Sequence, residues 1–440
     1  MSFRTKASLL AVSALVSAFG FESAASANAY YLQSQSARGT GRAFSGEGAD
    51  TGAASLWWNP AAIAGIRDGS AAIAATVIRP KGNVIDNGTV IGRPTFNPNI
   101  APTYRPVGGN SVSRDPINNG IVPSGSIAYP LTDRIAIGVA VTSPFSFTTN
   151  YEANSWARYS ADKTRLRTID IQPSIGIAVT DWLRVGGALN VEYTDADLTN
   201  ALPNVLATLP DGQQSLSGDG WDLGWTAGVQ FHNDFATVGV SYKSSIEHNL
   251  KGNLVVSGLV GPLAASNRTV DGATARFSTP GQVIVAGRVR ATNQLTLNAQ
   301  VVAYNWSKFD AIRLGAPLNV ALPENYRDSW SLAGGFDYDI TPKATLRAGI
   351  QRAKTPTQDG LRDARVPDSN RWTYAAGASY QLTPHIALDA GANYIDFANT
   401  TIDRVTAAYV GTAAVTPIIT NGYLKNAHAI EASLGGRLSF

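Results

Sequence analysis

From Gly69 onward, apolar and polar residues alternate along the chain with a period of two. Trp221, Leu223, Trp225, Ala227, Val229 and Phe231 take turns with Asp222, Gly224, Thr226, Gly228 and Gln230, and residues 183–193, 330–340 and 386–394 repeat the pattern. A period of two puts successive side chains on opposite faces of a strand. The polar face here is Gly, Ser, Asn, Asp and Arg, and the apolar face ends in aromatics. A soluble sandwich or barrel would carry Lys and Glu on its outer face and turn its large apolar residues inward. The pattern instead fits strands that meet lipid on the apolar side, between aromatic girdles, and line a polar lumen on the other. Stretches of roughly ten residues also match the length of a tilted membrane strand.

Turn residues divide the pattern. Short turns fall at Thr132-Asp133, Thr180-Asp181, Asn233-Asp234, Thr292-Asn293, Thr341-Pro342 and Thr383-Pro384. Long polar loops fall at about 80–120, 149–163, 198–219, 252–271, 309–326, 355–368 and 399–424. Six short turns and seven long loops predict fourteen strands, an even number with both ends on the short-turn side, as a bacterial outer-membrane barrel requires. Closure satisfies every backbone donor and acceptor in lipid, which an open sheet cannot do. The predicted fold is all-β: a 14-stranded antiparallel transmembrane β-barrel over residues 69–440. Its last strand ends on Phe440 in the apolar register, resembling the signal read by barrel-assembly machinery.

The N-terminus sets the compartment. Arg4 and Lys6 precede an apolar run at 7–21, and Ala25-Ser26-Ala27 reads as a small-residue cleavage site. Residues 1–27 are therefore predicted to be a cleaved signal peptide, with Asn28 the first mature residue. The alternative, a single N-terminal anchor, is disfavoured by the shortness of the run. Cysteine is absent, and the four histidines (His232, His248, His385 and His428) stand at no metal-ligand spacing, so neither metal nor cofactor is expected. A net charge of +3 with the signs interspersed offers no basic patch for nucleic acid. A barrel phospholipase would need an outward serine with a histidine in reach; on parity His232 faces the lumen and His428 the lipid, and His248 and His385 lack an obvious serine partner.

Residues 28–68 do not alternate. They are rich in Gly and Ala and contain the runs Gly39-Thr40-Gly41-Arg42-Ala43-Phe44-Ser45-Gly46-Glu47-Gly48-Ala49 and Trp57-Trp58-Asn59-Pro60-Ala61. Linkers are usually more polar and less aromatic, and a barrel of fourteen strands has a lumen to fill, so the composition favours a plug. These runs resemble the N-terminal hatch of the FadL family of long-chain fatty-acid transporters. Thr142-Ser143-Pro144-Phe145, Gly224-Trp225-Thr226-Ala227-Gly228, Ser241-Tyr242-Lys243-Ser244, Leu250-Lys251-Gly252-Asn253, Asn305-Trp306-Ser307-Lys308-Phe309 and Val366-Pro367-Asp368-Ser369-Asn370-Arg371-Trp372 are similar to the same family, which carries the resemblance across the mature chain. It implies a barrel closed by the hatch, capture of a hydrophobic small molecule outside, passive passage through a lateral opening in the wall, and a monomer. Long-chain fatty acids are the expected ligand; aromatic or other hydrocarbons are the alternative, and a hydrophilic porin is disfavoured by the plug.

Candidate residues follow. In the hatch, Gly41, Arg42, Gly46, Glu47, Gly48, Asn59, Pro60 and Ala61 are expected to form the gate, with Asn59-Pro60 a rigid turn bonded to the wall and 28–32 the part that ligand shifts. Pro144 interrupts the apolar stretch 135–147. A proline cannot donate to a ladder, so it marks either a break facing the hatch, and hence a lateral opening, or a plain strand end. Leu202, Val205, Leu206 and Leu209 stand at near-helical spacing, and Leu254, Val255, Val256, Leu259, Val260 and Leu263 form a second apolar segment. Either the two capture ligand, as exposed apolar patches do, or they pack as the loops' own core. A carboxylate in an apolar pocket needs a cation, and Arg347 and Arg371 are the candidate headgroup contacts among the lumenal arginines. Arg165 and Arg167 share parity with Ile169 and Ile171, so they are expected to point outward, toward lipopolysaccharide phosphates or solvent.

Overall fold

The computed structural model describes residues 29–95, 101–316 and 319–440; the expected signal peptide and its cleavage site lie outside them. The wall is a closed barrel of fourteen antiparallel strands. In chain order these are β1 (Ser70–Asp86), β2 (Gly120–Pro130), β3 (Ile135–Thr142, resuming as Ser146–Asn150), β4 (Lys163–Ala178), β5 (Leu183–Leu202), β6 (Gly212–His232) and β7 (Ala236–Lys243, resuming as Ile246–Ser257). There follow β8 (Arg268–Thr279, resuming as Gln282–Arg290), β9 (Leu295–Tyr304), β10 (Ser329–Thr341), β11 (Ala344–Ala353), β12 (Arg371–Gln381), β13 (Ile386–Phe397) and β14 (Thr416–Ser439). β1 closes on β14 from Ser70↔Ser439 to Asp86↔Gly422, with a bulge near Gly82.

All six short turns share one device. The side-chain oxygen of Thr132, Thr180, Asn233, Thr292, Thr341 or Thr383 accepts the backbone N–H groups two and three residues on, for example Ile135 at 3.0 Å and Ala236 at 2.8 Å. Threonine and asparagine recur there because each closes a turn without a neighbour's help. At the opposite end the strands run longer than the turn residues predict. The loops expected at 198–219 and 252–271 shrink, because β5 and β6 pair up to Leu202↔Gly212, and the upper part of β7 pairs with β8 up to Val256↔Arg268. Above the lipid both faces of a strand are wetted, so the alternation that marks it in the membrane disappears.

Outward residues are apolar and bare; Leu223 and Leu434 are each 72% exposed. Outward aromatic pairs sit at both ends of the wall, Tyr193–Trp221 (5.1 Å between centroids) above and Trp182–Phe231 (6.1 Å) below, as interfacial girdles require. Lumenal parity holds for Arg347 and Arg371, which are buried, while Arg165 and Arg167 lie on the outward register beside Asp195 and Asp197.

The N-terminal segment fills the lumen as short turns: one turn of α-helix at Ala37–Thr40 and 3-10 turns at Glu47–Ala49, Ala53–Ser55 and Pro60–Ile63. Ser36 caps the first through Gly39 N–H (2.9 Å). Asn59 caps the last, accepting from Ala61 N–H at 3.0 Å while its amide donates to Gly48 O (2.9 Å) and to Val229 O of β6 (3.2 Å). The link to the wall expected of the Asn59-Pro60 backbone thus runs through the Asn59 side chain. Pro60 supplies the fixed φ of a first helical residue. The wall yields to this segment at glycines: a methyl group on Gly186 would overlap the Pro60–Ala61 backbone, whereas one on its neighbour Gly187, facing outward, meets nothing within 4 Å. Gly186→Val should therefore destabilise the plugged barrel by about 1–3 kcal/mol and raise ion conductance in planar bilayers, while Gly187→Val should leave both unchanged. Equal effects of the two variants would refute close packing of the plug on the wall.

Candidate ligand cavity and lateral gap

The upper ends of β3 to β8 surround a small apolar cavity. Leu166, Ala196, Leu216, Leu250 and Phe277 line it from the wall, Phe309 and Tyr326 from the loop after β9, Val366 from the loop before β12, and Tyr30 from the plug. Tyr30 belongs to an aromatic cluster, with ring centroids 5.5 Å from Phe147, 5.0 Å from Trp306 and 5.6 Å from Phe309.

Charged side chains border this space at three points: Arg165, Glu324 and Arg365. Arg165 is bound to Asp197 (2.6 Å) and Asp195 (2.9 Å) on the outer side of the wall. Arg365 differs. Its guanidinium donates to Thr164 Oγ1 (2.9 Å), Asn200 Oδ1 (3.2 Å) and Thr199 O (3.4 Å), all neutral acceptors. Burial pushes its pKa down against the pull of Asp363 and Glu324. Among the described residues no carboxylate stands within 4 Å of it.

Neither of the two arginines expected to meet a headgroup borders the cavity. Arg347 sits low in the lumen, bound to Asp337 (2.8 Å) and Ser379 (2.6 Å). Arg371 is fully buried against Asp368 (2.9 Å). Parity identifies both as lumenal, but parity carries no depth and no partner. Arg365 lies on a loop, where no period exists to point at it. The loop leucines divide as well. Leu202 and Leu259 are buried in a core shared with Leu216, Leu254 and Leu263, with Val205 packed partly against it. Leu206, 59% exposed, and Leu209 border a separate groove at the outer surface. No helix forms over 202–209: Leu202 ends a strand and the rest is turn.

The barrel wall is incomplete at one place. β2 pairs with β3 only from Gly125↔Val141 to Pro130↔Ala136. After Pro144 the upper half of β3 pairs with β4, from Ser146↔Arg167 to Asn150↔Lys163, and rejoins the β2 side only at the bridge Ile117↔Thr149, just before β2 begins. Among the described residues, the edge of β2 from Gly120 to Ser124 thus has no strand beside it, and the gap is closed again above by the Ile117↔Thr149 bridge. The plug occupies this slot. Leu32 N–H donates to Pro144 O (2.7 Å), Ser146 N–H to Tyr30 O (3.0 Å), Ser124 Oγ to Gln35 O (2.9 Å), and Gln35 Nε2 to Ser143 O (2.9 Å). Leu32 packs between Ile78 of β1 and Val122 of β2. Of the two readings of Pro144, the geometry is that of a break facing the plug. Above it, Ala29 N–H donates to Asp368 Oδ2 (2.9 Å), the carboxylate that Arg371 holds.

Charge fixes the lower plug. Arg42 is fully buried and reaches Glu47 (2.5 Å), Asp50 (2.7 Å) and Asp337 of β10 (3.0 Å). Arg288 of β8 joins Asp337 (2.8 Å) and Asp50 (3.4 Å). Gly46 adopts φ 75°, and it turns the chain so that Glu47 faces Arg42. Gly48 supplies the carbonyl for Asn59 and donates to Gln300 (3.0 Å). Gly41 packs against the backbone of Gly377 and Gly391.

A closed barrel with bare apolar walls, a plugged lumen and an apolar cavity at its outer end defines a class: outer-membrane proteins that pass hydrophobic compounds. The chain belongs to the family described as "Outer membrane protein transport protein (OMPP1/FadL/TodX)", whose model matches residues 19–429. It is 26% identical over 431 residues to the long-chain fatty acid transport protein of Escherichia coli O6:H1, covering 89% of this chain and 91% of that one. It is 27% identical over 374 residues to the 47 kDa outer membrane protein of Pasteurella multocida, covering 79% and 82%. The fold is shared with a Pseudomonas aeruginosa FadL homologue (TM-score 0.80, 22% identity, 93% and 99% covered) and with the Ralstonia pickettii toluene transporter TbuX (0.63, 17%, 92% and 98%).

Arg42→Gln would leave Glu47, Asp50 and Asp337 facing one another with less cation among them, and breaking a buried pair costs about 3–5 kcal/mol. The variant is expected to melt earlier in detergent and to admit small hydrophilic solutes into liposomes. An unchanged permeability would mean that the plug is held elsewhere.

Proposed function

We propose that this chain takes up long-chain fatty acids, with the carboxylate on Arg365 and the alkyl chain in the cavity beneath it. The observation that carries the reading is Arg365 itself, a half-buried cation beside an apolar space whose guanidinium donates only to neutral oxygens. A desolvated charge gains most from a partner of opposite sign. Tyr30 links capture to passage, because it borders the cavity while its own carbonyl bonds Ser146 in the wall slot. A chain that displaces the Tyr30 ring draws residues 30–35 from the slot and leaves by the gap at Pro144 into the outer membrane. Residues 28–68 act as the hatch of an exported protein whose first 27 residues are removed. Movement is downhill, since nothing in the sequence suggests coupling to an energy source. The aromatic lining (Phe147, Phe277, Phe309, Tyr326) supports a second reading, uptake of monoaromatic hydrocarbons.

Cells producing the protein should take up labelled oleate faster than cells without it, with a hydrophilic sugar as control. Arg365→Gln removes a charge-assisted hydrogen bond worth about 1.5–3 kcal/mol and should weaken oleate binding roughly 10- to 100-fold while leaving toluene uptake intact. Toluene uptake without oleate uptake would establish the second reading instead. A disulfide between Gln35→Cys and Ser124→Cys, in a chain with no native cysteine, should stop uptake until it is reduced. Uptake that persists with the bridge closed would sink the gap as the exit.

A further inference from the structure

Resting on the assignment of Arg365 to the ligand carboxylate, we propose that Glu324 is the specificity residue of the cavity: its carboxyl borders the same apolar space as Arg365 and decides how well an anionic ligand is tolerated there.

Glu324 follows a short extracellular strand (Val320–Pro323), and its side chain is only 12% exposed. The cation nearest to it is Arg404, on the strand Thr400–Ala408, at 3.5 Å. Arg404 is already committed to Asp363 at 2.8 Å and to the carbonyl of Pro323. One guanidinium therefore serves two carboxylates and favours the other one. The groups around Glu324 come from each packed element: Arg404 from the hairpin before β14, Asp363 and Arg365 from the loop before β12, Tyr326 from its own loop and Tyr30 from the plug. Burial raises its pKa most, Arg404 opposes this, Asp363 adds to it and Arg365 opposes it, leaving the group at about 7.

Below pH 7 Glu324 is neutral, and a carboxylate bound at Arg365 meets no like charge. Above pH 7 Glu324 is anionic, repels the ligand's carboxylate and competes for Arg365. The carboxyl of oleate in a detergent micelle is itself shifted up toward neutrality by desolvation, so the protein's share of the change is the difference between the native chain and Glu324→Gln at each pH. Binding an anion raises the pKa of Glu324 further, and proton uptake must accompany binding near neutral pH. A neutral ligand of the same length feels none of this.

The test is calorimetric titration of the purified, detergent-solubilised protein with oleate and with oleyl alcohol between pH 5.5 and 8.5. Oleate affinity should fall about tenfold across neutrality, one pKa unit's worth of coupling, while oleyl alcohol binding stays flat. Glu324→Gln should bind oleate about tenfold tighter than the native chain at pH 8.5 and equally at pH 5.5. Repeating the titration in two buffers of different ionisation enthalpy reads the proton uptake, which should be larger in the native chain than in Glu324→Gln. An oleate profile in Glu324→Gln that matches the native one, or a slope for oleyl alcohol equal to that for oleate, would each overturn the proposal. Arg365→Gln separates the layers: unchanged oleate affinity there refutes the headgroup assignment, whereas a clear loss combined with matching native and Glu324→Gln profiles refutes Glu324 alone.

Discussion

Lipid offers no hydrogen bonds, and most of this molecule follows from that. Each N–H and C=O at membrane depth must be bonded within the protein, so the sheet closes β1 onto β14. A wall of fourteen strands is too wide for its own side chains to fill. The lumen therefore receives a separate filling, residues 29–68. That segment enters with polar groups of its own, and these are met by Asn59 on Val229, by Gly48 on Gln300 and by Arg42 on Asp337. The glycines on the polar face of the strands belong to the same solution, since they let plug backbone approach wall backbone.

The lateral gap is where the rule is relaxed, and the relaxation has a cost that something must offset. Beyond Pro144 the wall loses the ladder between β2 and β3, which would strand donors and acceptors at an open edge. The plug answers with a surrogate strand, Tyr30 to Leu32, bonded to Pro144 and Ser146. Gate and wall are thus made of the same kind of bond. Opening exchanges bonds worth about 0.5–1.5 kcal/mol each for contacts between wall and ligand, so a ligand that contacts Tyr30 can shift the balance, whereas one that contacts only the loops cannot.

How much of this is legible in the sequence depends on whether a period is present. Two-residue alternation locates the strands, and the Thr and Asn turns count them, because each turn closes through its own side chain. Strand ends above the lipid escape, since alternation there loses its meaning. The plug is legible as a departure from the period, with Asn59-Pro60 and Arg42-Glu47 its recognisable turns. The cavity is not. Its walls come from six strands, two loops and one plug residue, and no linear pattern joins Tyr30 to Phe277 or to Arg365. Leu202 and Leu259 resemble a capture surface because sequence does not distinguish apolar residues that face water from those that face each other.

The charges make the same point in energetic form. Arg42, Arg288, Arg347 and Arg437 are long side chains in the plugged lumen, and each finds a carboxylate: Glu47, Asp50, Asp337 or Asp389. A paired arginine has little left for a ligand, because binding one means first breaking a pair. Lumenal position therefore argues against a headgroup role here. Arg365 is half-buried, and among the described residues no carboxylate stands at contact distance from its guanidinium. On the proposed reading an incoming carboxylate supplies the partner that the loop withholds, and none of the lumenal pairs has to break to admit it.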